Sequence, residues 1–136
     1  MTTTSGADRP GATSEPPGPL ANLRVLDCST VIAGPGCAKY LADFGADVIK
    51  VERPPGGDTT RTMGLADPAD GVSLAWKLWN RGKRVIALDL RDEAGKEALL
   101  RLVETSQVLV ENLRPGKLES LGLGPDVPLA RNPKLV

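Results

Sequence analysis

The chain has 136 residues, enough for one compact domain, and its 17 Lys and Arg residues balance 17 Asp and Glu residues. Zero net charge argues against a general nucleic-acid or membrane-surface binder, since both need a basic excess. The absence of histidine excludes Ser-His-Asp and Cys-His catalysis, and two cysteines are too few for a four-ligand zinc site. We therefore expect no metal.

The first 19 residues are mostly Thr, Ser, Gly and Pro and lack the apolar core of a signal peptide. This composition predicts a disordered tail over residues 1–19, followed by one domain over residues 20–136. No stretch is long and apolar enough to span a bilayer. Without an export signal or a disulfide pattern, the sequence predicts a cytoplasmic protein.

A strand-helix-strand unit follows the tail. Residues 23–28 form a short, mostly apolar run that is typical of a strand. Gly34-Pro35-Gly36 then begins a helix that Gly45 ends, and residues 46–52 form a second strand. This order of elements within about 30 residues predicts a βαβ unit of a parallel sheet.

The second half continues the alternation. Residues 53–70 have no period, and a loop of this length is usually functional or mobile. Residues 73–80 predict a short helix and residues 84–90 a third strand. Asp92 is then predicted to cap an amphipathic helix with the apolar stripe Ala94, Ala98, Leu99, Leu102 and Val103. Residues 108–111 predict a fourth strand.

The last 22 residues suggest a chain that continues. Residues 115–121 and 125–131 predict two short helices, and residues 134–136 open another strand. Because a domain rarely ends at the first residues of a buried strand, we expect this chain to be the truncated N-terminal part of a larger domain.

Candidate ligand residues follow several of the predicted strands. Gly34-Pro35-Gly36, at a helix N-terminus, predicts either a phosphate site or simply a tight turn, and Lys39 stands where a dinucleotide fingerprint needs a third glycine. Glu52-Arg53 predicts either a ribose and phosphate contact or a surface ion pair. Arg91 and Asn112 to Arg114 come after two other strands, so all these groups should share the carboxyl edge of the sheet.

Other prominent side chains favour structural roles. Lys83 and its basic neighbours predict a solvated face, and Trp76 and Trp79 predict core or interface packing. Cys28 predicts burial in the core. Cys37 lies in a predicted first helical turn, where the dipole lowers a thiol pKa, but packing is the favoured role because no base is nearby.

Two strings carry a resemblance to a known family. RVLDCSTVIAGPGCAKYLADFGADVIKVERPPGGDTTR resembles the opening of family III (CaiB/BaiF) CoA transferases, and NRGKRVIALDLRDEAGKEALLRLVETSQVLVENLRPGKLESLGLG resembles their next block. The match covers nearly everything from residue 20 to residue 136. It implies an α/β fold with an incomplete Rossmann-like parallel sheet and helices on both faces, a small second domain further along, and an interlocked homodimer.

The resemblance also assigns site residues. Ser120 stands where many family members carry arginine, so one phosphate contact of the family is not assigned to this sequence. The family's catalytic aspartate lies beyond Val136, and no aspartate present here replaces it. The coenzyme A contacts that the resemblance implies are Ile32, Ala33, Arg53, Leu88 through Arg91, Asn112, Leu113 and Arg114.

The implied activity is transfer of CoA from an acyl-CoA to a carboxylic acid acceptor through an aspartyl anhydride and an enzyme-bound thioester. The fragment alone should then be inactive. An acyl-CoA racemase of the same family is an alternative. An NAD(P)-binding oxidoreductase domain, supported by the βαβ pattern and Glu52, and a non-catalytic interaction protein are others.

Overall fold

The computed structural model describes residues 18–136, so the disorder predicted for residues 1–17 lies outside the described residues. Four strands form one parallel sheet in the order β3-β2-β1-β4, which confirms the predicted α/β fold. The strands are β1 (Arg24–Asp27), β2 (Asp47–Glu52), β3 (Arg84–Ala87) and β4 (Val108–Val110). The helices are α1 (Ala33–Asp43), α2 (Leu74–Asn80), α3 (Glu93–Val103), α4 (Lys117–Ser120) and α5 (Asp126–Arg131).

The β1–α1–β2 unit has the predicted parallel pairing. Helix α1 ends at Asp43, and Gly45 follows with a φ of 100°, a left-handed conformation that glycine adopts without steric cost. The Gly45 amide donates to the carbonyl of Ala42 at 2.9 Å, and the Ala46 amide donates to that of Leu41 at 3.0 Å. These bonds close the helix and turn the chain directly into β2.

Helices cover both faces of the sheet, because side chains alternate along each strand. Val25 and Val48 pack with Ala38 of α1 in one apolar cluster. Leu26 and Ile49 point to the other face and pack against α3. The residues of α3 in that second cluster are Leu99, Leu100 and Val103.

Three details of the second half differ from the sequence prediction. Strand β3 ends at Ala87 instead of residue 90, although the Leu88 amide still donates to the carbonyl of Glu52 at 2.9 Å. Asp92 precedes α3 as predicted, but its side chain makes no capping hydrogen bond. Ala94 is exposed and Leu100 is part of the buried stripe, because the face of α3 that packs on the sheet is centred on Leu99, Leu100 and Val103.

The long segment after β2 is structured in part. It holds a 3₁₀ helix at Thr59–Thr62, whose preceding Asp58 accepts a hydrogen bond from the Thr60 amide at 2.9 Å. Ser73 caps α2 by accepting from the Ala75 amide at 3.1 Å. Both Asp58 and Ser73 are buried, so this segment packs onto the domain.

The last residues contact the outer edge of β4. The Val136 amide donates to the carbonyl of Gln107, and the Leu109 amide donates to the carbonyl of Val136, both at 2.9 Å. These two bonds have the pattern of a parallel pair. The strand predicted to open at residues 134–136 is nevertheless not formed, since α5 is the last regular element. Among residues 18–136, no helix is long and apolar enough to cross a bilayer.

Candidate functional site

The predicted site residues all follow the carboxyl ends of the four strands. Ile32 and Ala33 follow β1, Arg53 follows β2, the segment from Leu88 follows β3, and the segment from Asn112 follows β4. In a parallel sheet these ends share one edge, which is where ligands of such folds bind. The four strands therefore bring the predicted residues to one edge of the domain.

The turn after β1 exposes the side chains that the resemblance assigns to coenzyme A. Ile32 is 47% exposed, and Ala33 begins α1 without a side-chain cap at its N-terminus. Glycine is required at position 34 because the backbone there lies close to Ser29, so that an added Cβ would be 2.2 Å from the Ser29 Cβ. The left-handed residue of the turn is Val31, with a φ of 67°, and not one of the glycines.

Arg53 is exposed, and its predicted partner is engaged elsewhere. The buried Glu52 carboxylate accepts from Arg61 Nε at 2.7 Å, Trp76 Nε1 at 3.0 Å and the Asp58 amide at 3.2 Å. The predicted surface ion pair between Glu52 and Arg53 is therefore wrong, because the Glu52 carboxylate pairs with Arg61 instead. Within the described chain Arg53 forms no salt bridge, so its guanidinium faces solvent at the end of β2.

The tryptophans confirm the packing role. Both Trp76 and Trp79 are half-buried, and the guanidinium carbon of Arg61 lies 3.8 Å from the centroid of a Trp76 ring. Gly36 approaches Trp79, because a Cβ at Gly36 would lie 3.4 Å from that ring. These contacts fasten α2 and the segment after β2 to α1.

Arg91 is exposed but already paired. Its Nε and Nη2 donate to the two oxygens of Asp89 at 2.9 and 2.5 Å. Hydrogen bonds from the Arg91 side chain and backbone lower the pKa of Asp89 to about 2. Leu88, three residues earlier, is half-buried and packs with the α3 cluster, so the residues of this segment have different environments.

Asn112 joins the ends of β4 and β1. Its Oδ1 accepts from the Thr30 amide at 2.8 Å, and its Nδ2 donates to the Thr30 carbonyl at 2.9 Å. This side chain therefore holds the turn after β1. Leu113 is half-buried with its amide donating to Glu111, whereas Arg114 is exposed.

Two cavities of the described chain each hold a part of the predicted residues. Arg53 lines a shallow depression of about 340 Å³ with Arg61, Gly56 and Ala87. Leu113 and Arg114 line a separate, largely apolar cavity of about 380 Å³ between β4 and helices α3 to α5. A ligand that touched all of them would have to lie along the edge.

A group of buried charges lies directly beneath this edge and was not predicted from the sequence. We call Asp27, Lys50, Asp58 and Lys83 the buried charge cluster. Lys50 and Asp27 are fully buried, and Asp58 is 5% exposed. Lys50 Nζ lies 3.2 Å from Asp58 and 3.7 Å from Asp27.

The solvated position predicted for Lys83 is wrong. Its side chain is fully buried, and Nζ donates to Asp27 at 2.8 Å, to the Pro35 carbonyl at 2.8 Å and to Asn80 at 3.0 Å. Burial lowers the pKa of Lys83, while the hydrogen bond to Asp27 opposes that shift. Burial acts to raise the pKa of Asp58, but hydrogen bonds from Thr60 and the charge of Lys50 outweigh it, so the net shift is downward.

A signal for part of this cluster was present in the sequence. The strings RVLD of β1 and DVIK of β2 align residue for residue, which places Asp27 beside Lys50 and Arg24 beside Asp47. A charge at the same position of two otherwise apolar parallel strands indicates a buried pair, because an unpaired charge there would be costly. Lys83 and Asp58 carried no such signal.

The cysteines differ in environment. Cys28 is buried as predicted, and burial together with the Asp27 charge raises its pKa to about 12. Cys37 lies in the first turn of α1, as predicted, but it is exposed. The packing role predicted for Cys37 is therefore wrong, because its helical phase turns it away from the sheet.

The fold is an α/β domain with a four-stranded parallel sheet, and exposed arginines lie at the carboxyl edge of that sheet. The sequence profile of CoA-transferase family III matches residues 20–136, and the chain belongs to this family. The family resemblance of the two strings is thereby confirmed.

Two named relatives illustrate the similarity. The chain is 48% identical over 118 residues to the succinyl-CoA–L-malate CoA-transferase beta subunit of Chloroflexus aurantiacus. It is 44% identical over 117 residues to the formyl-CoA:oxalate CoA-transferase of Afipia carboxidovorans. These matches cover 87% and 86% of the chain but only 29% and 27% of the relatives.

Solved structures agree with the fold. A crystal structure of Rv3272 from Mycobacterium tuberculosis superposes with a TM-score of 0.81 at 42% identity, over 90% of this chain and 33% of that one. A CaiB/BaiF family protein from Brucella suis gives 0.81 at 40% identity, over 88% and 32%. The chain thus spans about a third of the length of these relatives.

Proposed function

We propose that this chain is the coenzyme A-binding portion of an acyl-CoA:carboxylate CoA-transferase. The observation that carries the proposal is the common edge: residues that the resemblance assigns to CoA follow the ends of all four parallel strands. Four strand ends at one edge can contact one extended ligand at several points. CoA, with its nucleotide, its phosphates and its long pantetheine arm, is such a ligand.

The groups at this edge are not equivalent. Arg53 is exposed beside a shallow depression, so it can take a phosphate through two parallel hydrogen bonds. The first turn of α1 offers backbone amides and the positive end of a helix dipole. Arg91 must share its guanidinium with Asp89, and Asn112 acts on the turn after β1.

For the complete reaction we propose the covalent route that the family resemblance implies. An aspartate carboxylate, which the resemblance does not assign to any of these 136 residues, attacks the acyl-CoA thioester, which gives a mixed anhydride and releases the CoA thiolate. The thiolate then attacks the aspartyl carbonyl of the anhydride, which forms an enzyme thioester and frees the original acid. The acceptor carboxylate attacks this thioester and displaces the thiolate, and the thiolate attacks the acceptor carbonyl of the new anhydride, which gives the product acyl-CoA and releases the enzyme carboxylate. The residues of this chain would hold CoA throughout, in a protein that we expect to be a cytoplasmic, interlocked homodimer.

Glu52 no longer supports the alternative of an NAD(P)-binding oxidoreductase. Glu52 was the candidate for a ribose hydroxyl, but both of its oxygens accept hydrogen bonds from protein groups. Because Glu52 is buried and already bonded to Arg61 and Trp76, it is poorly placed to bind an incoming ribose. The dinucleotide fingerprint is also incomplete at Lys39, whose amine pairs with Asp43 at 2.6 Å.

Calorimetric titration of the chain with CoA, 3′-dephospho-CoA, pantetheine and NADH tests the proposal. We expect CoA to bind, binding to weaken as phosphates are removed and as salt is raised, and NADH to bind more weakly than CoA. Equal affinity for NADH and CoA would contradict it. In a parallel assay with acyl-CoA and a carboxylic acid, we expect the 136-residue chain to show no CoA transfer.

A further inference from the structure

The turn between β1 and α1 has an unfavourable backbone. Val31 has a φ of 67°, which is a steric outlier for a β-branched residue. Val31 is 37% exposed, so packing of its side chain does not explain the conformation. Such strain persists only where surrounding groups over-determine the backbone.

Buried lysines hold carbonyl groups on both sides of the strained residue. Lys50 Nζ, from β2, donates to the Ser29 carbonyl at 2.6 Å. Lys83 Nζ, from the segment before β3, donates to the Pro35 carbonyl at 2.8 Å. Each lysine is fully buried, so water does not compete for these bonds.

Carboxylates hold the amide groups of the same stretch. Asp27 accepts from the Ser29 amide at 3.0 Å, and Asp58 accepts from the Val31 amide at 3.2 Å. Asn112 adds two bonds to Thr30, which makes six side-chain bonds to the backbone of residues 29–35. They come from β1, β2, the segments before β3 and after β2, and the end of β4.

Stability alone does not account for this arrangement. Burying two lysines and two carboxylates costs desolvation, and apolar residues of similar size often stabilise a fold as well or better. Four charges directed at one short backbone segment give orientation instead. The bonds also leave Ile32 and Ala33 between them exposed at the edge.

We infer that the buried charge cluster positions the β1–α1 turn, holding Val31 in its left-handed conformation so that Ile32, Ala33 and the first amides of α1 meet the ligand. The cluster acts through the turn and does not touch the ligand. This inference rests on the proposed function for the identity of the ligand, CoA, but not for the holding of the turn.

The test uses Asp58→Ala, which removes the acceptor for the Val31 amide and one charge beside Lys50. If only about a tenth of molecules keep the competent turn, the apparent dissociation constant for CoA rises about tenfold. Hydrogen exchange measured by mass spectrometry should also become faster in peptides covering residues 29–34. Val103→Ala, a buried change on the opposite face of the sheet, controls for general loss of stability.

A double variant separates positioning from stability. Glycine adopts a φ of 67° without steric cost, so Val31→Gly in the Asp58→Ala background should recover part of the lost affinity. A purely structural role of Asp58 predicts no such recovery. If Asp58→Ala does not fold, Asp58→Asn keeps an acceptor oxygen and should give an intermediate effect.

Two outcomes would overturn the inference: CoA affinity in Asp58→Ala that falls no further than in Val103→Ala, or unchanged exchange of the turn. Failure of the wild-type chain to bind CoA would refute the proposed function instead. In that event the exchange experiment, which needs no ligand, would still decide whether the cluster holds the turn.

Discussion

The carboxyl edge of the sheet carries cations in two settings. Lys50 and Lys83 lie beneath the edge, fully buried and bonded to carboxylates and backbone carbonyls. Arg53 and Arg114 lie on top of it and are exposed. The buried charges are therefore bonded to backbone and carboxylates, whereas the exposed charges remain free to meet the ligand that we propose for this edge.

We expect the largest effect on stability from removing a charge of the buried charge cluster. Lys50→Met should lower the free energy of unfolding by about 3–5 kcal/mol, because it leaves the carboxylates of Asp27 and Asp58 buried with one cation fewer. Urea denaturation measures this loss. Lys117→Met, an exposed position on α4, is the matched control and should stay within about 0.5 kcal/mol of wild type. Similar values for the two variants would contradict the comparison.

Removing an exposed cation should instead change ligand affinity and leave stability nearly unchanged. Under the proposed function, Arg53→Ala would remove one charge-assisted phosphate contact of roughly 1.5–3 kcal/mol. CoA binding should therefore weaken by about tenfold to a hundredfold, with urea denaturation nearly unchanged. Calorimetric titration measures the affinity, and Arg101→Ala, an exposed arginine on α3, is the control. An unchanged dissociation constant would leave Arg53 as ordinary surface charge.

Arg91 should give a smaller effect, because Asp89 already binds its guanidinium. We expect Arg91→Ala to weaken CoA binding less than Arg53→Ala does, and Asp89→Asn to change the affinity little or raise it by freeing Arg91. The same titrations decide. A larger loss in Arg91→Ala than in Arg53→Ala would show that an engaged arginine is the main phosphate ligand.

The cysteines give the smallest and simplest contrast between buried and exposed groups. Because burial raises the pKa of Cys28 to about 12, its thiolate is scarce near neutral pH, whereas Cys37 is exposed. At pH 8 an alkylating reagent should modify Cys37 in the folded chain and Cys28 only after denaturation. Peptide mass spectrometry identifies the modified residue, and rapid native modification of Cys28 would contradict its burial.

Local sequence was sufficient for most of the fold. The alternating apolar strands and the helices between them were predicted close to their observed bounds, and a parallel sheet followed from their order. Strand ends then had to meet at one edge, so the position of Arg53 was predicted as well. The end of β3 was predicted three residues too late, because the apolar pattern continues beyond the point where pairing stops.

The environment of each side chain at the edge was decided by tertiary structure. Asn112 bonds to Thr30 across 82 residues, and Lys83 to Asp27 across 56. Neither contact has a local pattern, because it depends on which strands are neighbours and on their register. The sequence by itself determined the elements and the edge that they share. Only packing in three dimensions decided which charges at that edge are buried and bonded to protein and which face solvent.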